Sequence, residues 1–287
     1  MENVVVSSQS KFLDKVISDV NLENKIVLDA GTGGWSARFL ARRGPGRIVC
    51  VVGPGDTRKA EEARNALQSI DYKNYQIILG NLICENLFSA NSFDFIFAHY
   101  LIEEVDGFAP LGICEVLHNL HKFLREGGEL VIVNPEAYVP FRPEYELTST
   151  IGIQGDAQLE KRSKRDLIDA LYILLFTPAT LMLLSNLTGG RYPSKWICNW
   201  LTDAGFKELE THFFDIKVYV DEEFTQKSTF ARQIISTMCT PKLREGLLEI
   251  LEEVVSEYNH RNVTKDDFFL QRHYVIRAKK GLGDDEC

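Results

Sequence analysis

A strand that ends in an acid and turns through glycines into a helix can hold a ligand, and Val27-Leu28-Asp29-Ala30-Gly31-Thr32-Gly33-Gly34 reads that way. Glycines let the backbone pass close to a bound group. The helix that the pattern starts near Ser36 offers unpaired N–H groups and the positive end of its dipole. The dinucleotide form of this loop needs a third glycine at position 36 and an acid at the end of the next strand, about twenty residues on. Position 36 is Ser and that strand ends Val51-Val52, which weighs against nicotinamide or flavin chemistry. A second constellation is His99-Tyr100, followed one turn later by Glu103 and Glu104. It falls at the carboxyl end of another strand, where open α/β sheets bind their ligands. For His99 three readings stand together: lining a ligand, acting as a general base, or packing at a strand end. No His, Asp and Glu grouping has metal-ligand spacing, so no metal is expected.

The elements that position these residues alternate. Short apolar runs at 26–30, 47–52, 75–79, 93–98 and 129–133 read as strands covered on both faces, as in a parallel sheet. Ile113, Val116, Leu117, Leu120, Phe123 and Leu124 form one helical stripe, which Gly127-Gly128 is expected to stop. Residues 135–195 break the rhythm with Pro, Gly and the Leu-rich run Leu167–Leu187. A helix near 194–204, a strand within 206–220 and a last strand at His273–Ala278 resume it. Between the last two strands lies a helical insertion at about 222–265, with Leu243, Leu247, Leu251, Val254, Val255 and Tyr258 on one face. Thr240 before Pro241 reads as the N-cap of a helix within it. The expected fold is α/β: a Rossmann-like, doubly wound, mostly parallel seven-stranded sheet with helical lid insertions. The core spans 1–134, the lid 135–195, and 196–287 returns to the sheet.

With 32 Lys and Arg against 41 Asp and Glu, the net charge of -9 disfavours a nucleic-acid partner. The basic run Lys161–Arg165 is short and lacks interleaved aromatics, so a solvated helix face accounts for it. The six cysteines include no CxxC pair, and MENVVVSSQSKF has no secretory pattern, so a reducing, cytoplasmic setting is expected.

Several segments, in register, resemble the class I S-adenosylmethionine-dependent methyltransferases over about residues 25–135. Asp29–Gly33 is similar to that family's first motif, and Gly80-Asn81-Leu82 falls where the family brackets adenine. Phe93–Tyr100 resembles its fourth-strand motif, which brings in Ala98 and His99. Leu124–Ile132 and Trp200–Phe206 resemble the approaches to its fifth and sixth strands. The resemblance implies S-adenosylmethionine as cofactor, bound by Asp29, Gly31, Thr32, Gly33, Asp56, Asn81, Leu82, Ala98 and His99. It implies His99 and Tyr100 as catalytic candidates, mainly for positioning. Asp29 either orients the loop or reaches the cofactor's ammonium, or simply caps loop amides. The chain departs from the family twice. The third loop glycine falls on Trp35, and the ribose-binding acid on Val52, leaving Asp56 to reach round to the ribose.

Asn134-Pro135-Glu136-Ala137-Tyr138 is similar to the NPPY motif of amino-directed DNA methyltransferases, but it follows the fifth strand and its third residue is Glu. The match reads as coincidence. Leu167–Leu187 fits a buried lid helix pair, a cover for a lipid-like or aromatic acceptor, or, with Lys161–Arg165, a membrane contact through 161–187. A small, partly apolar acceptor is expected. The competing class is a cofactor-binding regulatory or scaffold protein that has lost its chemistry.

Overall fold

The computed structural model describes residues 9–31, 33–109, 112–136, 192–237, 241–259 and 268–281. In chain order the elements are α1 (Gln9–Val16), β1 (Ile26–Ala30), α2 (Gly34–Ala41), β2 (Arg47–Val52), α3 (Thr57–Gln68), β3 (Tyr75–Leu79), β4 (Phe93–His99), α4 (Leu101–Phe108), α5 (Ile113–Phe123), β5 (Leu124–Pro135), α6 (Ser194–Asp203), β6 (Phe206–Tyr219), α7 (Val220–Thr237), α8 (Pro241–Asn259) and β7 (Phe268–Lys280). The strands form one seven-stranded sheet in the order β3-β2-β1-β4-β5-β7-β6. β1 pairs in parallel with β2 and β4, and β4 with β5, whereas β7 lies antiparallel to β5. The order reverses beside β1, so the carboxyl ends of β1 and β4 flank the crevice where such sheets bind ligands.

Two compact units divide the chain, and the described parts of 1–138, 189–215 and 272–287 make the first. Its strands alternate between two buried faces. Leu28, Ala30, Val49, Val51, Ile96, Ala98, Leu130 and Ile132 join Val116, Leu117, Leu120, Ile197 and Leu201 in one core. Val27, Ile48, Cys50 and Phe97, one residue out of phase, are buried just as fully on the other side. Burial on both faces explains why these strands read as unbroken apolar runs. The expected α5 stripe is buried throughout, from Ile113 to Leu124. Cys50, Cys84, Cys114 and Cys198 are unbridged thiols.

The helix that carries that stripe ends at Phe123, before the glycines expected to stop it. Gly127-Gly128 lie inside β5 instead, where the pairing with β4 slips between Phe93 and Phe95. Gly127 has φ +68, and a Cβ on Gly128 would lie 2.8 Å from the Arg125 carbonyl oxygen. The pair therefore makes a bulge, not a cap.

The described residues of the second unit fall within 216–271. Ala231 and Ile235 of α7 pack with Leu247 and Leu251 of α8, and Phe224 stacks on Tyr258 with ring centroids 3.6 Å apart. Pro241 opens α8, and Thr240 lies outside the described residues. So does nearly all of 135–195, with the expected lid, the basic run and the 161–187 segment. Among the described residues no helix is long and apolar enough to cross a membrane.

Arg277 joins distant parts of the first unit. Its Nε donates to Glu129 at 2.5 Å, while its terminal nitrogens donate to the Val16 carbonyl at 2.8 Å and to Asp19 at 2.9 and 3.0 Å. Both side chains of the Arg277–Glu129 pair are 13% exposed. Removing one partner strands the other charge in a poorly hydrated place. Arg277→Ala should therefore cost about 3 kcal/mol of stability, with part recovered when Glu129→Ala is added. Urea unfolding of the two single variants and the double variant checks this, and a loss below about 1 kcal/mol would rank the pair with ordinary surface bridges.

Candidate active site

The loop between β1 and α2 is held by contacts that only its residue types permit. Gly31 has φ +78, and a Cβ there would sit 3.0 Å from Leu101 Cα and 3.3 Å from the His99 carbonyl oxygen. Glycine thus lets the end of β1 touch the start of α4. Asp29 is fully buried behind the loop, and its Oδ2 accepts from the Ser36 hydroxyl at 2.9 Å. Ser36 Oγ in turn accepts from the Gly33 N–H at 3.2 Å. Through Ser36, then, Asp29 orients the turn into α2. Gly33 sits at the N-cap, and among the described residues no atom beyond its chain neighbours lies within 4 Å of where its Cβ would be, so these residues leave the start of α2 open to an approaching group. Thr32 lies outside the described residues.

Beyond this loop is a crevice of about 550 Å³ of empty space, its open mouth included. Gly31, Val52, Leu82, Leu101 and Val105 line it, with Asp56, Lys59, Asn81 and Glu104 as its polar side chains. The walls are fastened from behind. Asn119 of α5, only 7% exposed, donates to the Leu82 and Ile83 carbonyls at 2.8 Å each. Asn81 Oδ1 accepts from the Ile83 N–H at 3.1 Å. Asp56 N-caps α3, its Oδ1 accepting from the Lys59 N–H at 3.0 Å. Lys59 Nζ reaches across to Glu104, 2.5 Å away.

The predicted residues thus divide into two groups. Gly31, Asp56, Asn81 and Leu82 line the crevice. Asp29 lies behind it, and Ala98 is fully buried in the core beneath. His99 and Tyr100 stand beside it at the end of β4. There the His99 ring stacks on Trp35 (centroids 4.7 Å apart) and on Tyr100 (4.1 Å). Trp35 also stacks on Phe39 and remains 37% exposed. Tyr100 occupies the left-handed region at φ 57, rare for an aromatic residue, and its hydroxyl is 3.2 Å from His273 Nδ1. Strain of this kind concentrates at functional sites. Burial of much of the His99 ring pushes its pKa down from 6.5 to about 3.

Lys59, Asn119 and the Trp35–His99 stack escaped the sequence reading. A polar residue beside the apolar stripe of α5 was the only available sign of Asn119. The NPPY-like segment serves structure: Asn134 is fully buried opposite Tyr274, and Glu136 Oε1 accepts from the Ser194 N–H at 3.0 Å at the start of α6. Among the described residues no three metal-ligating side chains converge.

No family model and no curated protein matches the chain. Solved structures do. A proposed methyltransferase from Bacillus halodurans C-125 aligns over 94% of this chain and 99% of its own, with TM-score 0.55 and 16% identity. The YcgJ protein from Bacillus subtilis aligns over 94% and 98%, with TM-score 0.58 and 12% identity. An O-methyltransferase family protein from Burkholderia thailandensis aligns over 96% of this chain and 57% of its own, at 0.51 and 12%. The fold is that of the class I methyltransferases. At such identities the likeness concerns architecture, and the reaction has to be argued from the site.

On this methyltransferase fold, His99 carries a testable pH signature. The folded protein keeps it neutral down to about pH 3, whereas the unfolded chain protonates it near 6.5. Between those values the unfolded state binds the extra proton. The contribution of His99 is therefore complete above about pH 6.5 and is lost as pH falls toward 3. His99→Gln should flatten stability against pH by up to about 1.4 kcal/mol per pH unit between pH 4 and 6. Urea midpoints across that range provide the check, and an unchanged slope would show that the ring is hydrated.

Proposed function

We propose that the chain transfers the methyl group of S-adenosylmethionine to a small, partly apolar acceptor. The observation that carries this reading is the joint made by Gly31 and the open start of α2, at the floor of a crevice with apolar walls. The residues present fit the cofactor's chemistry. A carboxylate is welcome at the Gly33 end of α2, where N–H groups and the helix dipole face open space. A sulfonium is tolerated beside Trp35, Tyr100 and a His99 that stays uncharged at neutral pH. A nucleoside suits Val52, Leu82, Leu101 and Val105, with Asn81 at the edge.

When bound, the cofactor supplies a methyl already activated by its sulfonium, so the protein's task is to position the acceptor and exclude water. A histidine whose pKa lies near 3 is a weak proton acceptor, which favours positioning over general-base work for His99. Tyr100 holds the His99 ring by stacking and is anchored through its hydroxyl to His273. The exposed face of Trp35 next to this stack supports an apolar element in the acceptor. The net charge of -9 supports a small molecule over a nucleic acid.

Isothermal titration calorimetry against S-adenosylmethionine, its demethylated product S-adenosylhomocysteine, and NAD tests the reading. The first two should bind and NAD should not; NAD binding alone, or no binding at all, rejects it. Gly33→Val supplies the sharper variant, because its Cβ meets no atom of the described residues within 4 Å beyond its chain neighbours. It should abolish cofactor binding while circular dichroism stays that of the wild type. Gly31→Val is less clean, since the positive φ and the Leu101 contact threaten the fold itself.

A further inference from the structure

We infer that the Lys59–Glu104 ion pair grips the cofactor ribose, in place of the acid that position 52 does not supply. This rests on the reading of the crevice as an S-adenosylmethionine site. Two other polar side chains of the crevice already have one oxygen engaged. Asp56 Oδ1 is held by the α3 cap, and Asn81 Oδ1 by the Ile83 N–H. The Gly80 N–H continues the sheet by donating to the Val52 carbonyl at 2.9 Å. Val52 itself, 1% exposed, offers no polar side chain.

Asp56 keeps Oδ2 and Asn81 its amide N–H groups, but Lys59 and Glu104 differ from these in setting a charged donor directly beside a charged acceptor. They rise from α3 and α4, both line the crevice, and they meet at 2.5 Å with side chains 23% and 39% exposed. Among the described residues neither side chain makes another ion pair or hydrogen bond. The ammonium therefore keeps N–H donors and the carboxylate keeps an acceptor oxygen. A vicinal diol needs both kinds of partner at once, because each hydroxyl donates and accepts. A carboxylate beside an ammonium provides them side by side, in charge-assisted form. A half-exposed ion pair contributes little to folding, so stability alone gives weak reason for one in this crevice. Lys59 lies in the first turn of α3, which follows the carboxyl end of β2, on the side of the sheet where such folds bind their ligands.

The test is calorimetry with S-adenosylhomocysteine and its 2′-deoxy and 3′-deoxy analogues, on the wild type and on Glu104→Gln, Lys59→Met and Asp56→Asn. The wild type should bind at least one deoxy analogue about tenfold or more weakly. Glu104→Gln should lose about tenfold for the parent compound and much less for that analogue, so the discrimination collapses; Lys59→Met should show the same pattern less strongly. Asp56→Asn, which keeps a capping side chain, should leave the discrimination intact. Melting temperatures of the unliganded variants should stay close to the wild type, which separates a lost contact from a damaged fold. If Glu104→Gln keeps both affinity and discrimination, or if Asp56→Asn abolishes the discrimination, this inference falls while the cofactor reading stands. A wild type that binds none of the three compounds overturns both.

Discussion

Gly31 and Leu101 meet where two strands run out side by side. β1 ends one residue before Gly31 with its positive φ, β4 ends one residue before Tyr100 in the left-handed region, and the two reversals press backbone against backbone. Any side chain at position 31 would push α4 away from the sheet. With α4 would go Leu101, Val105 and Glu104, which form one wall of the crevice. The contact therefore sets how closely α4 approaches the end of β1.

Around that contact, each wall of the crevice is tied to an element behind it. Asn119 holds the Leu82–Ile83 carbonyls from α5, Ser36 couples Asp29 to the loop, and Asp56 anchors the first turn of α3. Side chains that face the crevice are thus positioned by hydrogen bonds that do not face it. Binding then needs little reorganisation of the backbone, which lowers its cost.

The strand positions were legible because burial on both faces leaves an apolar run that few other structures produce. The glycine loop was legible because positive φ next to a helix start restricts the residue choice. Residues whose role depends on a neighbour distant in sequence were harder. Asp56 looked like a ligand carboxylate, but the spacing Asp56-Thr57-Arg58-Lys59 also fits an N-cap, and the structure shows both the cap and a place in the crevice. Trp35 registered as a missing glycine; that its ring stacks on His99 follows from how α2 docks beside β4, which no local spacing encodes. Glu104 was noticed beside Glu103, but its partner Lys59 is set by the distance between α3 and α4. Gly127-Gly128 misled because a paired glycine serves a helix stop and a strand bulge equally well.

The guanidinium of Arg277 bears on how the molecule comes into being. It ties β7 to Asp19 and to the Val16 carbonyl, across 258 and 261 positions. β5, meanwhile, gains its second neighbour only when β7 arrives. During synthesis the first strands can associate early, but one edge of β5 must wait until the residues of β7 have been made. Contacts of such long sequence separation slow folding, because chain entropy is lost before the contact can form. Until then the nascent protein carries an uncovered sheet edge, a state in which chaperone capture competes with aggregation.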